Sequence, residues 1–258
     1  MYAATNLTVS VGGRPLIRDV DMAIAPGRLV AVIGPNGAGK STLLRALAGE
    51  RHPSAGAIHL HGRDVFALSA DELARWRAVL AQTVTVTFPF SVSEIASLGA
   101  TTTVDHATLD ALVMRALEAV HMADAAERPI TQLSGGEQQR VHFARVLVQL
   151  WAQPDDGDAR YLLLDEPTAH LDPAHQVLTA TLARAHASAG GGVLAVLHDV
   201  NLAAGIADEI VVMQNGRLVA HGPPDEILDE HLLADVFGIS FHAIADDGRR
   251  VLMPALPG

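Results

Sequence analysis

Leu29-Val30-Ala31-Val32-Ile33 runs straight into Gly34-Pro35-Asn36-Gly37-Ala38-Gly39-Lys40-Ser41-Thr42, and the junction of the two decides the fold. An unbroken apolar run of this length reads as a strand buried on both faces. From Gly34 to Ser41 the chain matches G-x-x-x-x-G-K-[ST], and Lys40–Ala48 reads as a helix closed by Gly49. The glycines let backbone approach phosphate groups, while exposed N–H groups and the helix dipole attract anionic oxygens. Lys40 is set to reach β- and γ-phosphates, and Ser41 to ligate Mg²⁺. The alternative is an ordinary glycine turn, against which the strand before and the helix after argue.

Downstream, Leu162-Leu163-Leu164-Asp165-Glu166 is an apolar run ending in two carboxylates. Asp165 is placed to hold Mg²⁺, directly or through water, and Glu166 to polarise an attacking water. A helix-capping pair is the competing reading, weakened by Pro167 and by the glycine loop upstream. Between the two lies Leu133-Ser134-Gly135-Gly136-Glu137, where Ser134 and Glu137 also fit a plain capping box.

The remaining pattern alternates strands and helices, which implies a mainly parallel sheet with helices on its faces. Leu7, Val9 and Val11 alternate, as do Val20, Met22 and Ile24, and Ile58–Leu60 reads as a short edge strand. Residues 71–123 read as mostly helical with a break at Phe88-Pro89-Phe90, and Gly136–Trp151 as one long helix. Tyr161–Leu164 and Val193–Leu197 read as strands flanking a helix at 173–188. Glu209–Met213 and Arg217–His221 flank Asn215-Gly216, a hairpin signal. Pro223–Phe237 reads as one helix, with a further hairpin after Ile239.

Composition narrows the class. A chain of 258 residues that is 49% hydrophobic can build a sizeable core. No apolar run approaches the roughly 18 residues of a membrane span, and no basic, apolar leader opens the chain. A net charge of −11 argues against sequence-independent binding to nucleic acid or an anionic bilayer. The absence of cysteine fits a reducing compartment. His59 and His61 share one face of the expected strand, but no third metal ligand is near them in sequence.

The ordered set of Gly34–Thr42, Gln82, Ser134–Glu137 and Asp165-Glu166 resembles the ATP-binding domain of ABC transporters, over essentially the whole chain. The resemblance implies an α/β P-loop fold with a mainly parallel core sheet, an antiparallel β subdomain and an inserted helical subdomain. It implies one domain over 1–258, the helical insertion at 83–150 and a C-terminal extension at 217–258. It also implies ATP hydrolysis with Mg²⁺ by a homodimer. Ser134, Gly135, Gly136 and Glu137 of one copy then face the nucleotide held by Gly34, Pro35, Asn36, Gly37, Ala38, Gly39, Lys40, Ser41 and Thr42 of the other. By the same resemblance His198 is the switch histidine that senses the γ-phosphate, and Asp172 belongs to the loop bridging the two sites. Gln82 touches Mg²⁺ or water and links the site to a partner. One departure stands out. The family usually stacks adenine on an aromatic residue just before the first turn, where this chain has Val11, with Tyr2 far upstream.

The segment Thr83–Gly99 corresponds to the groove that receives a membrane subunit, with Phe88 and Phe90 either its apolar anchors or ordinary core rings. Its F-P-F-[ST]-V character and the long tail are similar to importers of metal chelates, and the insertion at Trp151–Asp158 to the ATPase subunits of haem importers. The partners implied are a separate integral membrane permease and, indirectly, a periplasmic substrate-binding protein. The implied location is the cytoplasmic face of the bacterial inner membrane, held peripherally, with no nucleic acid bound. Siderophore or cobalamin import is the nearer alternative, and a soluble ABC ATPase acting on DNA or ribosomes the more distant one. The latter would require a coiled-coil insertion or a second cassette, and neither is present.

Overall fold

The computed structural model describes residues 1–82, 86–100, 104–246 and 249–255. In chain order the strands are β1 (Tyr2–Val11), β2 (Arg14–Ile24), β3 (Leu29–Ile33), β4 (Ala55–Leu60), β5 (Arg63–Asp64), β6 (Arg77–Leu80), β7 (Tyr161–Asp165), β8 (Gly192–Val196), β9 (Glu209–Gln214), β10 (Arg217–Gly222), β11 (Phe241–Asp246) and β12 (Arg249–Pro254). The helices are α1 (Lys40–Leu47), α2 (Ala70–Trp76), α3 (Val92–Ser97), α4 (His106–Ala119), α5 (Gly135–Trp151), α6 (Pro173–Ser188), α7 (Val200–Ile206), α8 (Pro224–Ile227) and α9 (Glu230–Phe237).

Among the described residues the core sheet runs β10-β9-β3-β8-β7-β6, parallel except for β10, and an antiparallel sheet runs β2-β1-β4-β5. The expected combination of parallel core sheet, antiparallel β subdomain and helical insertion is the one found. Strand side chains alternate faces, so the core sheet feeds two apolar cores. Leu29, Ala31 and Ile33 join Leu162 and Leu164 against Val141, Phe143 and the other helical side chains. Val30, Val32 and Leu163 face the other way, onto Leu43 and Leu47 of α1 and Leu7, Val9 and Ile17 of the antiparallel sheet. β3, β7 and β8 are buried at every position, so their loops leave the sheet from a rigid layer.

Four sequence expectations are corrected. Arg77–Leu80, read within a helical stretch, is the edge strand β6. Its residues have only modest strand preference, and parallel pairing with β7 overrides it. The strand at Ile58–Leu60 is longer and interior, lying between β1 and the two-residue β5. The single helix expected over Pro223–Phe237 is broken, because the Asp229 carboxylate accepts from the N–H groups of His231 and Leu232 and starts α9 afresh. His59 and His61 do not share a face. His61 lies beyond β4 at φ 51° and points its Nε2 at the Ala159 carbonyl, 2.9 Å away. No group of three metal-ligating side chains exists among the described residues.

The long helix α5 is fastened along one side by amides. Gln138 donates to the carbonyls of Ile130 and Leu133, and Gln149 to those of Ala74 and Arg77. Between them His142 is 5% exposed with neither ring nitrogen hydrogen-bonded. Burial, with the nearby Arg145 guanidinium adding to it, pushes its pKa down to about 4. The unfolded chain binds that proton near the ordinary histidine value of about 6.5. Stability from this site is therefore complete above that value and is lost as pH falls from it towards 4. A His142→Leu variant is expected to gain about 2 kcal/mol over wild type at pH 5 beyond its change at pH 8. Urea unfolding at the two pH values measures the difference, and equal changes at both would exclude the effect.

Candidate nucleotide site

β3 delivers the chain to Gly34, where φ is 146° and an added Cβ would lie 2.1 Å from the Met213 carbonyl oxygen on β9. Only glycine lets the loop leave the sheet this close to its neighbour. The loop ends at Gly39, in the left-handed region at φ 102°, which is the N-cap of α1 and has no side chain to accept from the first turn. By contrast Ser69, Ser91, Asp105, Ser134, Asp172, Asp199 and Asp229 cap α2, α3, α4, α5, α6, α7 and α9 with side-chain oxygens. The donors opening α1 are thus left for an anionic ligand. Lys40 reaches back across the loop, with Nζ 2.7 Å from the Gly34 carbonyl and 3.1 Å from that of Pro35. Burial lowers its pKa, while Glu166 and Asp165 act in the opposite direction.

β7 brings Asp165 to the same place. It is buried, its Oδ1 accepts from the Ser41 hydroxyl at 3.0 Å, and burial raises its pKa, with the neighbouring Glu166 charge adding to the effect. Glu166 sits at φ 52°, so the backbone turns and separates the two carboxylates. Gln82 Nε2 donates to its Oε2 at 2.7 Å, and His198 Nε2 lies 2.7 Å from its Oε1. Gln82 follows β6, Glu166 follows β7 and His198 follows β8, so adjacent parallel strands deposit all three at one sheet edge. The Ser41 hydroxyl and the buried Asp165 carboxylate, bonded to each other, with the Gln82 amide at the end of the neighbouring strand, suit Mg²⁺ in their donor chemistry, and a cation there would favour ionised Asp165.

A cleft of about 260 Å³ is lined by Asn36, Gly37, Ala38, Gly39, Lys40, Ser41, Thr42 and Glu166, with Leu16 at its wall. Ser134, Gly135, Gly136 and Glu137 line a different cleft, of about 530 Å³, with His170, Asp172 and His175. Ser134 and Glu137 do form the capping box, with Ser134 N–H donating to Glu137 Oε2 at 2.8 Å. Gly135 is open beside it, with no atom within 4 Å of an added Cβ, whereas a Cβ on Gly136 would lie 3.2 Å from the His170 carbonyl oxygen. Asp172 caps α6 and pairs with His175 Nδ1 at 2.8 Å. Of the residues expected at the nucleotide, Asn36–Thr42 and Glu166 thus line one cleft and Ser134–Glu137 with Asp172 another, while Gly34, Pro35, Gln82, Asp165 and His198 are among the lining residues of neither.

Sequence reasoning missed Gln139, which donates to the Glu166 backbone carbonyl at 3.2 Å and ties α5 to the carboxylate turn. The only signal for it was its place one turn into the helix after Ser134-Gly135-Gly136. His175, Asp172's partner, also gave no sign until the helix placed the two residues together.

A phosphate loop, an uncapped helix and paired carboxylates at the edge of a parallel sheet define a P-loop nucleoside triphosphatase. The family model for ABC transporters matches residues 17–169. The hemin import ATP-binding protein HmuV of Rhodopseudomonas palustris strain BisA53 is 48% identical over 98% of this chain and 94% of its own length. That of Bordetella pertussis strain Tohama I is 46% identical over 99% and 96%. Among solved structures, the ATP-binding subunit of an ABC transporter superimposes with a TM-score of 0.78 over 92% of this chain and 93% of that one, at 23% identity. A dimeric ATP-binding cassette in a post-hydrolysis state, bound to ADP and Pi, gives 0.75 over 87% and 99%, at 24% identity. The chain belongs to the ABC transporter family and is one of its ATPases.

The base-binding side departs from the family's usual pattern. Val11 ends β1 and is 52% exposed, whereas Tyr2 is fully buried, its hydroxyl donating to the Leu47 carbonyl and its ring edge-on to Tyr161. Tyr2 is therefore removed as a stacking residue, and no ring lines the phosphate cleft. Placing one with Val11→Tyr is expected to tighten ATP binding about fivefold, the equivalent of about 1 kcal/mol of stacking. In the unaltered chain ATP and GTP should bind within about tenfold of each other. Fluorescent-nucleotide displacement tests both statements, and a hundredfold preference for either base in the unaltered chain would rule out the second.

Proposed function

We propose that this chain is the ATP-hydrolysing subunit of a haem (hemin) importer, working as a homodimer beneath a separate membrane permease. What carries the reading is the division of one catalytic set between two clefts. Ser134–Glu137 line a cleft that excludes the phosphate loop, so a second copy is needed to complete each site. Haem as cargo is supported by full-length similarity to hemin import ATP-binding proteins. The chain is read as a single ATP-binding domain, with the helical insertion at 83–150 and the C-terminal extension at 217–258. The attachment we read is peripheral, through the permease, on the cytoplasmic face of the bacterial inner membrane; no helix among the described residues is long and apolar enough to cross a membrane. A periplasmic binding protein would act on the permease from the other side.

In this reading ATP lies with its phosphates on the open turn of α1 and Lys40. Mg²⁺, held by Ser41 and Asp165 with Gln82 nearby, would neutralise charge on the β- and γ-phosphates. Glu166 accepts a proton from the attacking water. Gln82 and His198, each bonded to one of its oxygens, hold the carboxylate in line. Asp172 lies beside Ser134–Glu137 and would bridge the two sites of the dimer.

The permease would seat on the surface around Phe88 and Phe90. Both rings are exposed, 69% and 45%, with centroids 6.3 Å apart, which overturns the alternative of core packing. Thr83, Val84 and Thr85 of the same segment lie outside the described residues.

Glu166→Gln is expected to slow hydrolysis by at least ~100-fold and to accumulate an ATP-bound dimer, while Lys40→Ala abolishes turnover. Tagged Glu166→Gln chain recovered with ATP from native membranes should carry a polytopic permease, and haem absorbance in the eluate would support the cargo. Recovery of ribosomal or DNA-repair proteins without a permease would defeat the importer reading.

A further inference from the structure

α7 starts two residues after His198 and holds the C-terminal hairpin by one side chain. Asn201 Nδ2 donates to the Leu252 carbonyl at 3.0 Å, and its Oδ1 accepts from the Leu252 N–H at 2.8 Å. Leu252 of β12 faces Ala243 of β11, and the N–H of Ala243 is taken by the Glu230 carboxylate of α9. One residue on each hairpin edge is therefore bonded by a helix side chain, Leu252 to α7 and Ala243 to α9. Leu252 and Phe241 are buried in the helical-side core with Val200 and Ala203 of α7. At the same end of α7, Asp199 accepts from the N–H groups of Asn201 and Leu202. The first turn of this helix is thus pinned on one side by the cap and on the other by the tail. His198 sits directly before that cap, half exposed, with its ring against Glu166.

We infer that Asn201 and the hairpin it grips are positioning elements for hydrolysis: they fix the first turn of α7, and with it the reach of His198 to Glu166. The amide suits this role because it supplies one donor and one acceptor to one backbone residue, as a neighbouring strand would. Loss of the grip leaves the cap and the packing of Val200 and Ala203 to place the histidine, and a displacement of about 1 Å at a catalytic contact is enough to matter. The inference rests on His198 and Glu166 acting in hydrolysis.

The test is a double-mutant cycle on ATPase activity of the full chain, with Asn201→Ala and His198→Ala alone and together. Asn201→Ala should lower kcat about tenfold with KM for ATP unchanged. In the His198→Ala background it should have no further effect, because its influence passes through the ring. Equal losses from Asn201→Ala with and without His198 would overturn the inference, as would an unchanged kcat. An unaltered chain that hydrolyses no ATP would instead overturn the assignment of the site, and the inference with it.

Discussion

The open turn of α1 is the constraint from which the rest of the molecule follows. Backbone N–H groups facing outward from a helix start are costly when buried and useful when an anion meets them. Nearly every other helix here closes that end with a serine or aspartate. α1 begins at Gly39 instead, and Lys40, the side chain nearest the loop, occupies carbonyls rather than donors. Keeping such a turn in one place requires a rigid support. β3, buried at every position and flanked by β8 and β9, supplies it.

The same support creates an electrostatic problem that the chemistry uses. Asp165 and Glu166 are adjacent in sequence, and burial already disfavours the charge on Asp165. The left-handed backbone at Glu166 turns the second carboxylate aside, where Gln82 and His198 take one oxygen each. Asp165 is left with the Ser41 hydroxyl and, farther off, Lys40 and Arg45. Such a carboxylate gains most from a bound cation, whereas its neighbour is aimed and kept partly accessible. Two carboxylates side by side thus acquire separate roles from their surroundings.

Ser134–Glu137 show how a local motif can serve two purposes. The capping box stabilises the start of α5 on its own terms, and Gly135, directly after Ser134, leaves backbone open beside it. α5 then runs to the far side of the helical layer, with Gln139 gripping the carboxylate turn near its beginning and Gln149 the end of α2. One helix therefore connects the Ser134–Glu137 cleft, the carboxylate turn and the helices α3 and α4 that pack on it.

Much of this was legible in the order of residues alone. The phosphate loop, the carboxylate pair, the LSGGE motif and the buried strands are contiguous signals, because each depends on neighbours in the chain and on the strand or helix period. Where the reading failed, contacts distant in sequence had the deciding vote. Arg77–Leu80 became a strand because β7 lay beside it, and His61 turned towards Ala159. Tyr2, a conceivable ring for adenine, was consumed by the interior against Leu47 and Tyr161. Sequence alone determined which groups make up the glycine loop Gly34–Ser41, since those groups must be neighbours to form the loop at all. Only the tertiary structure decided that Gln82, Glu166 and His198 meet, that Ser134–Glu137 stand apart from them, and that the tail grips α7, because hydrogen bonds between residues tens of positions apart exist only once the sheet has set its strand order.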